Sequence, residues 1–339
     1  MNSSQFPFSV ITGKTIYRLI SEDLSGCVNV VRDAYLAHAE GRSVNPNSDF
    51  LRFEDRPNAR IIGLPSHLGD PWNISAFKWI ASYPDNIKSG FHRASAVLLL
   101  NSHETGYPFA CLEASVISAA RTAASAVLAA SHMRRGDHRA HTLGIVGTGL
   151  IARYVYRFLV GTQWEFKNIQ LFDLDSTRAE EFAEKLQGGG ATAEIRIAPD
   201  LPSLLKASDV VLFTTVAGSP HVHDPQLFEH RPLVLHLSLR DLAPEVMVSA
   251  FNIVDDVDHA MQANTSLHLT EQLTGSRDFV AGTVADLVSG RISMDDSRPA
   301  IFSPFGLGVL DLAVGKWVYD LAVAAGEHQV IDDFFDFET

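Results

Sequence analysis

The sequence predicts an α/β protein of two domains, one a doubly wound parallel sheet and the other an α+β unit on a mostly antiparallel sheet. Three observations predict it. A glycine-rich turn lies between a strand-like and a helix-like stretch in mid-chain, the residues after it alternate apolar strands with helices, and the first hundred residues read as paired strands around one helix.

The glycine turn is the most informative stretch. Residues 142–147, Thr-Leu-Gly-Ile-Val-Gly, are an apolar strand run, and Gly147-Thr148-Gly149-Leu150-Ile151-Ala152 follows as GxGxxA, ahead of a helix-like stretch over residues 153–160. In a Rossmann-type domain the first glycine permits the tight turn and the second keeps side-chain atoms away from a pyrophosphate. A small third residue allows close helix–strand packing, and the helix N-terminus offers free N–H groups to the phosphates. A second apolar run, residues 169–172, ends at Asp173, where an acid accepts hydrogen bonds from both ribose hydroxyls and repels a 2′-phosphate. The expected cofactor is NAD rather than NADP.

The bulk properties leave room for this plan. A chain of 339 residues is long enough for two cores, and 46% apolar with 20% charged residues describes an ordinary soluble globular protein. No run approaches the ~18 apolar residues of a membrane span. Residues 1–5 lack a basic segment followed by an apolar one, so no secretory signal is expected. Cys27 and Cys111 are far apart and without metal-type spacing, which suits reduced thiols in a cytoplasm. A net charge of −13 disfavours nucleic acid as a partner, and it means that a polyanionic small substrate must be held by a local cationic cluster.

Taken in order, residues 21–40 read as a helix with Ser21 or Asp23 as N-cap, and with Val28, Val31, Ala34, Tyr35 and His38 on one face. Gly41 ends it, and a polar loop through Asn45, Pro46 and Asn47 follows. Strands are expected over residues 59–64, 72–81 and 94–100, and the turn over residues 102–106 joins the third to a fourth at 107–112. Residues 113–133 form a long Ala-rich helix, and the basic stretch 134–139 is the expected hinge. Beyond it come a helix over 178–186, a short strand over 193–197, and buried strands over 209–213, 233–237 and 253–254. The buried runs end in Thr214-Thr215 and in Ser238-Leu239-Arg240-Asp241, as in a doubly wound sheet, where ligands sit outside the carboxyl ends of the strands. Gly306-Leu307-Gly308 opens an apolar helix with Trp317 and Tyr319, expected to return to the first domain. The predicted division is 1–135 with 303–339 against 136–302.

A few residues stand out chemically. Lys78 lies mid-strand between Phe77 and Trp79, and a lysine there is either functional or at an edge reaching solvent. Arg121 lies inside an apolar helix, as an inter-helix ion pair or beside a ligand. With Arg93, these two would make a carboxylate clamp, since arginine grips a carboxylate with two parallel hydrogen bonds. Asp241 is either a ligand-edge residue or the N-cap of a helix over residues 242–251. His236, inside an apolar strand, reads as a hydrogen-bonded core histidine, and Glu54 and Glu113 as surface acids. The fourteen histidines show no metal-type spacing, and no metal is expected.

Lys78 in a strand, Arg121-Thr122-Ala123-Ala124 in a helix, Gly147-Thr148-Gly149 after a strand and Asp241 after a later strand resemble the ornithine cyclodeaminase/mu-crystallin family over nearly the whole chain. The resemblance implies an N-terminal substrate and dimerisation domain, an NAD domain, a C-terminal helix returning to the first, a small amino-acid-derived substrate and a homodimer without nucleic acid or membrane. It makes Lys78 and Arg121 substrate-binding, and Asp241 with Lys78 the catalytic residues. It runs the cofactor along Thr122, Gly147, Gly149, Leu150, Ile151, Asp173, Thr214 and Ser238. The cyclodeaminases carry Asp-Cys-Pro-Gly-Lys where this chain has Asp241-Leu242-Ala243-Pro244-Glu245; they have a serine where this chain has Pro304, and they lack Arg93-Ala94-Ser95-Ala96. These departures, with Lys78-Trp79-Ile80, Pro84-Asp85-Asn86 and Val257-Asp258-His259, resemble a subgroup that oxidises a secondary amine bearing three carboxylates. Arg93 and Arg240 are then the extra substrate-binding cations. Cyclodeaminase, alanine dehydrogenase or ketimine reductase activity, and non-catalytic ligand binding, stay open on the same scaffold.

Overall fold

Two sheets of eight strands organise the computed structural model, which describes residues 7–335; residues 1–5, read above for a leader, lie outside the described residues. The chain opens with β1 (Phe8–Ile11), α1 (Gly13–Glu22), α2 (Leu24–Ala39), β2 (Ser43–Val44), β3 (Asp49–Phe53), β4 (Arg56–Leu68), β5 (Ile74–Ser82), β6 (Ala94–Ser102) and β7 (Pro108–Glu113). Next come α3 (Ser115–Met133), β8 (Arg139–Val146), α4 (Leu150–Gly161), β9 (Glu165–Phe172), α5 (Ser176–Gly188), β10 (Glu194–Ile197), α6 (Leu201–Ala207), β11 (Val210–Phe213) and β12 (Leu233–His236). The last elements are α7 (Pro244–Val248), β13 (Phe251–Val254), α8 (Val257–Ala260), α9 (Ser266–Thr274), β14 (Val280–Thr283), α10 (Val284–Val288), β15 (Ala300–Phe302), α11 (Gly308–Ala325) and β16 (Gln329–Ile331).

The chain divides into two compact units, one with the described residues through Arg121 and from Leu307 onward, the other Thr122–Gly306. The first cut falls inside α3 rather than after residue 135, because the buried, Ala-rich second half of that helix groups with the second unit. The last cut falls after Gly306 rather than 302, because the Phe305 and Gly306 amides donate to the Asp255 carboxylate at 3.0 and 2.5 Å and tie this segment to the second unit.

In the first unit the sheet runs β16-β1-β7-β6-β5-β4-β2, with β3 also on β4. Only β1 and β7 pair in parallel; the other ladders are antiparallel. The Asp23 carboxylate caps α2 by accepting from the Gly26 amide at 2.7 Å, and the helix buries Cys27, Val31, Ala34, Tyr35 and Ala37. Between Gly308 and Gly315 every residue of α11 is buried. A Cβ on Gly315 would lie 2.2 Å from Leu98 Cδ2, so the glycine is what lets α11 press onto β6. Burying side chains such as Leu98, Leu100 and Leu112 completely contributes about 1.5–3 kcal/mol each. The sequence reading missed β1, α1, β2, β3 and β16; the residues of β3 are almost all exposed and so leave no apolar alternation. Glu113 is no free surface acid, because its carboxylate accepts from the Ser115 and Val116 amides at 2.8 and 3.1 Å and satisfies the start of α3.

The second unit carries the sheet β10-β9-β8-β11-β12-β15-β13-β14, with every ladder parallel. Strands β11, β12 and β13 are buried along their whole length, as parallel strands covered on both faces must be. Strand order reverses between β8 and β11, which opens a crevice at their carboxyl ends. Ile301 and Phe302 belong to β15, between β12 and β13, a strand that the sequence reading did not give. Among the described residues no helix is long and apolar enough to cross a membrane.

Candidate active site

The carboxyl ends of β8 and β11 hold the glycine turn. Gly147 is fixed by the protein itself: its φ is +84°, and a Cβ there would meet the Thr214 and Thr215 backbone at 3.0 Å. Gly149 is different. Its φ of −82° suits any residue, and a Cβ on it would meet nothing within 4 Å. Nothing in the fold requires Gly149 to lack a side chain, and the open space above it fits a ligand lying against the backbone. Gly149 is also the N-cap of α4 without a capping side chain, so the first amides of a twelve-residue helix, around Leu150 and Ile151, stay available to phosphate oxygens.

Asp173 follows β9 as expected, and the turn itself orients it. Its Oδ2 accepts from the Thr148 amide at 2.8 Å and the Thr148 hydroxyl at 3.0 Å, and its Oδ1 from the Asp175 amide at 3.1 Å. A carboxylate accepts about four hydrogen bonds, so Oδ1 keeps room for a further donor such as a ribose hydroxyl. Thr214, at the end of β11, donates to the Gly147 carbonyl at 2.6 Å. These residues fit a dinucleotide: Gly149, Leu150 and Ile151 for the pyrophosphate, Asp173 for the ribose, Thr214 beside the turn. Thr122, assigned to the cofactor by resemblance, is half-buried on α3.

Beyond β12 the chain builds a buried carboxylate. Asp241 is 0% exposed, and both of its oxygens are occupied. Oδ1 accepts from the Thr215 hydroxyl and lies 3.0 Å from His221 Nε2; Oδ2 accepts from the Ser238 hydroxyl and lies 3.2 Å from His236 Nε2. His236 in turn meets the Ser303 hydroxyl through Nδ1 at 3.0 Å. Burial pushes the Asp241 carboxyl up, but the hydrogen bonds from His221 and His236, the charge of His236 and the Ser238 bond outweigh it and hold the group well below the ordinary carboxylate range. The helix-cap reading of Asp241 falls: Ala243 is the N-cap of α7, with no side-chain bond, and that helix spans Pro244–Val248 rather than 242–251. Leu239, two residues ahead, holds φ +75°, an uncommon conformation for a branched side chain and one found at functional loops. Thr215 was read only as a polar residue at the strand end, and His221 was missed; a histidine in an exposed loop carries no periodic signal.

Cations gather in the first unit. Lys78 is 2% exposed in mid-strand β5, and its Nζ donates to Asp311 Oδ2 at 2.6 Å. Asp311, on the buried side of α11, is 0% exposed and also faces Arg121, whose Nε lies 3.3 Å from the same oxygen. That approach is an ion pair and not a hydrogen bond, because the Nε–H is not aimed at the oxygen. Burial pushes the Lys78 ammonium down to about 8, with Asp311 opposing the shift and Arg121 adding to it. Burial would raise Asp311, but Arg121 and Lys78 outweigh it and keep the carboxyl ionised. Two cations thus share one acid. The Arg121 amino groups take no hydrogen-bond partner among the described residues, and its side chain is only 14% exposed. Asp311 was also missed, although a lone acid in the run Gly308-Val309-Leu310-Asp311-Leu312 was a visible signal.

The remaining cations stand apart. Arg93 precedes β6, bonds Ser82 Oγ at 3.3 Å and pairs with no carboxylate among the described residues; burial lowers its guanidinium. Arg240 spends Nε–H and one Nη2–H on the Ala263 carbonyl, at 3.2 and 2.6 Å, which ties it to its loop and leaves three N–H donors, two on Nη1 and one on Nη2.

The chain is similar to known proteins in sequence and in fold. A model described as the ornithine cyclodeaminase/mu-crystallin family matches residues 18–326. The N-((2S)-2-amino-2-carboxyethyl)-L-glutamate dehydrogenase of Staphylococcus aureus is 30% identical over 306 residues, covering 87% of this chain and 89% of its own. The fold is that of Thermococcus litoralis Delta(1)-pyrroline-2-carboxylate reductase, solved with NADH and L-proline (TM-score 0.86, 23% identity, 96% of this chain and 100% of the other). It is equally that of an archaeal alanine dehydrogenase dimer with bound NAD (TM-score 0.84, 23% identity, 96% and 99%).

Proposed function

The chain belongs to the ornithine cyclodeaminase/mu-crystallin family, and on that premise we propose that it oxidises N-(2-amino-2-carboxyethyl)-L-glutamate with NAD⁺. The imine formed is hydrolysed to 2-oxoglutarate and L-2,3-diaminopropionate, an amino acid for siderophore or peptide-antibiotic synthesis. The observation that carries this reading is the cation surplus of the first unit. Lys78 and Arg121 share the single acid Asp311, and Arg93 has none. A buried uncompensated cation is costly, and a carboxylate-rich substrate compensates it. A substrate with one carboxylate, such as alanine or proline, would leave Arg93 without an anion.

NAD⁺ supplies the oxidising half of the reaction. Gly149, Leu150 and Ile151 hold its phosphates, Asp173 its ribose, and Thr122, Thr214 and Ser238 border it. Asp173 favours NAD⁺ over NADP⁺ by repelling a 2′-phosphate. Lys78 and Arg121 fix the substrate carboxylate, Arg93 a second one, and Arg240 offers the N–H groups that Ala263 leaves unused. Asp241 belongs to the proton-handling end. Fixing the reacting carbon in one orientation is itself catalytic, and a clamp whose lysine and arginine are already held by a buried acid loses little freedom on binding. We place the enzyme in the cytoplasm as a homodimer, the free thiols Cys27 and Cys111 and the dimeric alanine dehydrogenase being consistent with that. The test is a substrate panel with NADH readout: aminocarboxyethyl-glutamate, alanine, ornithine and proline. The highest kcat/KM on the tricarboxylate supports the reading; a higher value on alanine or proline rejects it.

A further inference from the structure

We propose that His221 is the residue that carries the substrate's proton, with Asp241 as its fixed anionic partner; the inference rests on the amine-oxidising function proposed above. His221 Nε2 lies 3.0 Å from Asp241 Oδ1. The loops that bear the two residues are laced together. The His221 and Val222 amides donate to the Asp241 carbonyl at 2.9 and 3.0 Å, the Ala243 amide donates to the Val222 carbonyl at 2.9 Å, and Val222 and Leu242 form a parallel bridge. The ring is therefore held against the carboxylate by backbone.

Asp241 is a poor proton acceptor where it stands. It is 0% exposed, and its oxygens are enclosed by the Thr215 and Ser238 hydroxyls, which donate to them, and by the Nε2 atoms of His221 and His236. The side chain of His221, by contrast, is 38% exposed. Because the ionised carboxylate accepts from Nε2–H, the neutral ring keeps its lone pair on Nδ1, which takes no partner among the described residues. The other titratable group here, His236 at the end of β12, serves the opposite oxygen of Asp241 and makes no bond to His221. A buried anion, an imidazole bonded to it and an open ring nitrogen are the parts of a general base. The loop leaves β11 at Thr214 and Thr215, the same backbone that abuts Gly147 at the cofactor turn.

The proton count agrees. The secondary amine enters as an ammonium, and one N–H proton passes to His221 Nδ1. The freed lone pair forms the C=N bond as the α-carbon gives up its hydrogen with two electrons, for which NAD⁺ is the oxidant. Water then bonds to that carbon, the C–N bond breaks, and the amine leaves as a primary ammonium. One ammonium substrate, one NAD⁺ and one water give a 2-oxo acid, a primary ammonium, NADH and one proton, which exits through His221.

Two measurements test this on the full chain. Nitrogen-15 NMR of the wild type, with His221 assigned by its loss in His221→Gln or His221→Asn, should show Nε2 protonated and Nδ1 bare in the neutral ring. A proton on Nδ1 instead overturns the proposal. Single-turnover NADH formation by His221→Gln should fall by about 10²–10⁴-fold and lose the acid limb of its pH profile. Its Tm and its calorimetric Kd for NAD⁺ should stay unchanged, and added imidazole should restore part of the activity of His221→Ala. A rate within about threefold of wild type with the acid limb intact also overturns it. If the wild type turns over none of the panel substrates, the functional reading fails while the tautomer still decides the pairing.

Discussion

Lys78 and Asp311 lie 233 positions apart in sequence and meet at 2.6 Å, each buried in the first unit. The acid reaches the lysine because α11 settles onto the sheet at Gly315 with Asp311 one turn earlier. Asp311 makes it possible to bury Lys78 and Arg121 at all, and it leaves one positive charge in surplus for a ligand.

Removing that acid leaves two buried cations facing each other. Asp311→Asn should destabilise the protein by about 3–5 kcal/mol, the cost of breaking a buried pair from one side. Chemical denaturation would show this as a lower midpoint at unchanged slope. A midpoint equal to that of the wild type would mean that the cluster is not buried as described.

Substrate affinity should depend on pH through Lys78. Burial has lowered its ammonium to about 8, and only the protonated form attracts a carboxylate. KM for the anionic substrate should therefore rise as pH climbs through about 8, towards tenfold per pH unit, while the NAD⁺ Kd measured calorimetrically stays flat. A KM that is level from pH 7 to pH 10 would remove Lys78 from the clamp.

The two turn glycines should fail differently. Gly147→Ala forces a side chain into a left-handed position against the Thr214 and Thr215 backbone, and should lower Tm. Gly149→Ala meets open space at an ordinary φ, so its Tm should match the wild type while NAD⁺ binding weakens at least tenfold. Unchanged NAD⁺ affinity in Gly149→Ala would show that no pyrophosphate crosses that residue.

Arg93 has no acid to hold and so should be needed only by the substrate. Arg93→Ala should leave NAD⁺ affinity alone and cost about 2–5 kcal/mol in kcat/KM on the tricarboxylate, as for one side of a buried charge pair. Steady-state kinetics on purified variant and wild type decide it; equal values would place Arg93 outside the site.

What the sequence made legible follows from how local each signal is. The glycine turn, Asp173 and the strand runs could be read because each rests on neighbours within a few residues or on a simple period. Strand β3 could not, since its side chains face solvent and show no alternation. Asp241 as cap or site residue was undecidable, because the answer depends on Ala243, rather than Asp241, having the extended conformation at the start of α7. Asp311 was a visible anomaly whose meaning lay in tertiary contact: only the packing of α11 over β5 and β6 brings it to Lys78. Arg240 drew notice for its charge, but the Ala263 carbonyl that occupies it is 23 residues away. His221 gave no sign at all, since its importance comes from a backbone bridge between two loops.

The most direct test of the functional account is product analysis. Purified protein, NAD⁺ and N-(2-amino-2-carboxyethyl)-L-glutamate are incubated to completion, and NADH, 2-oxoglutarate and L-2,3-diaminopropionate are quantified by absorbance and mass spectrometry. Equal molar amounts of all three are the predicted result. No NADH from this substrate, with steady turnover of alanine, proline or ornithine under the same conditions, would contradict it.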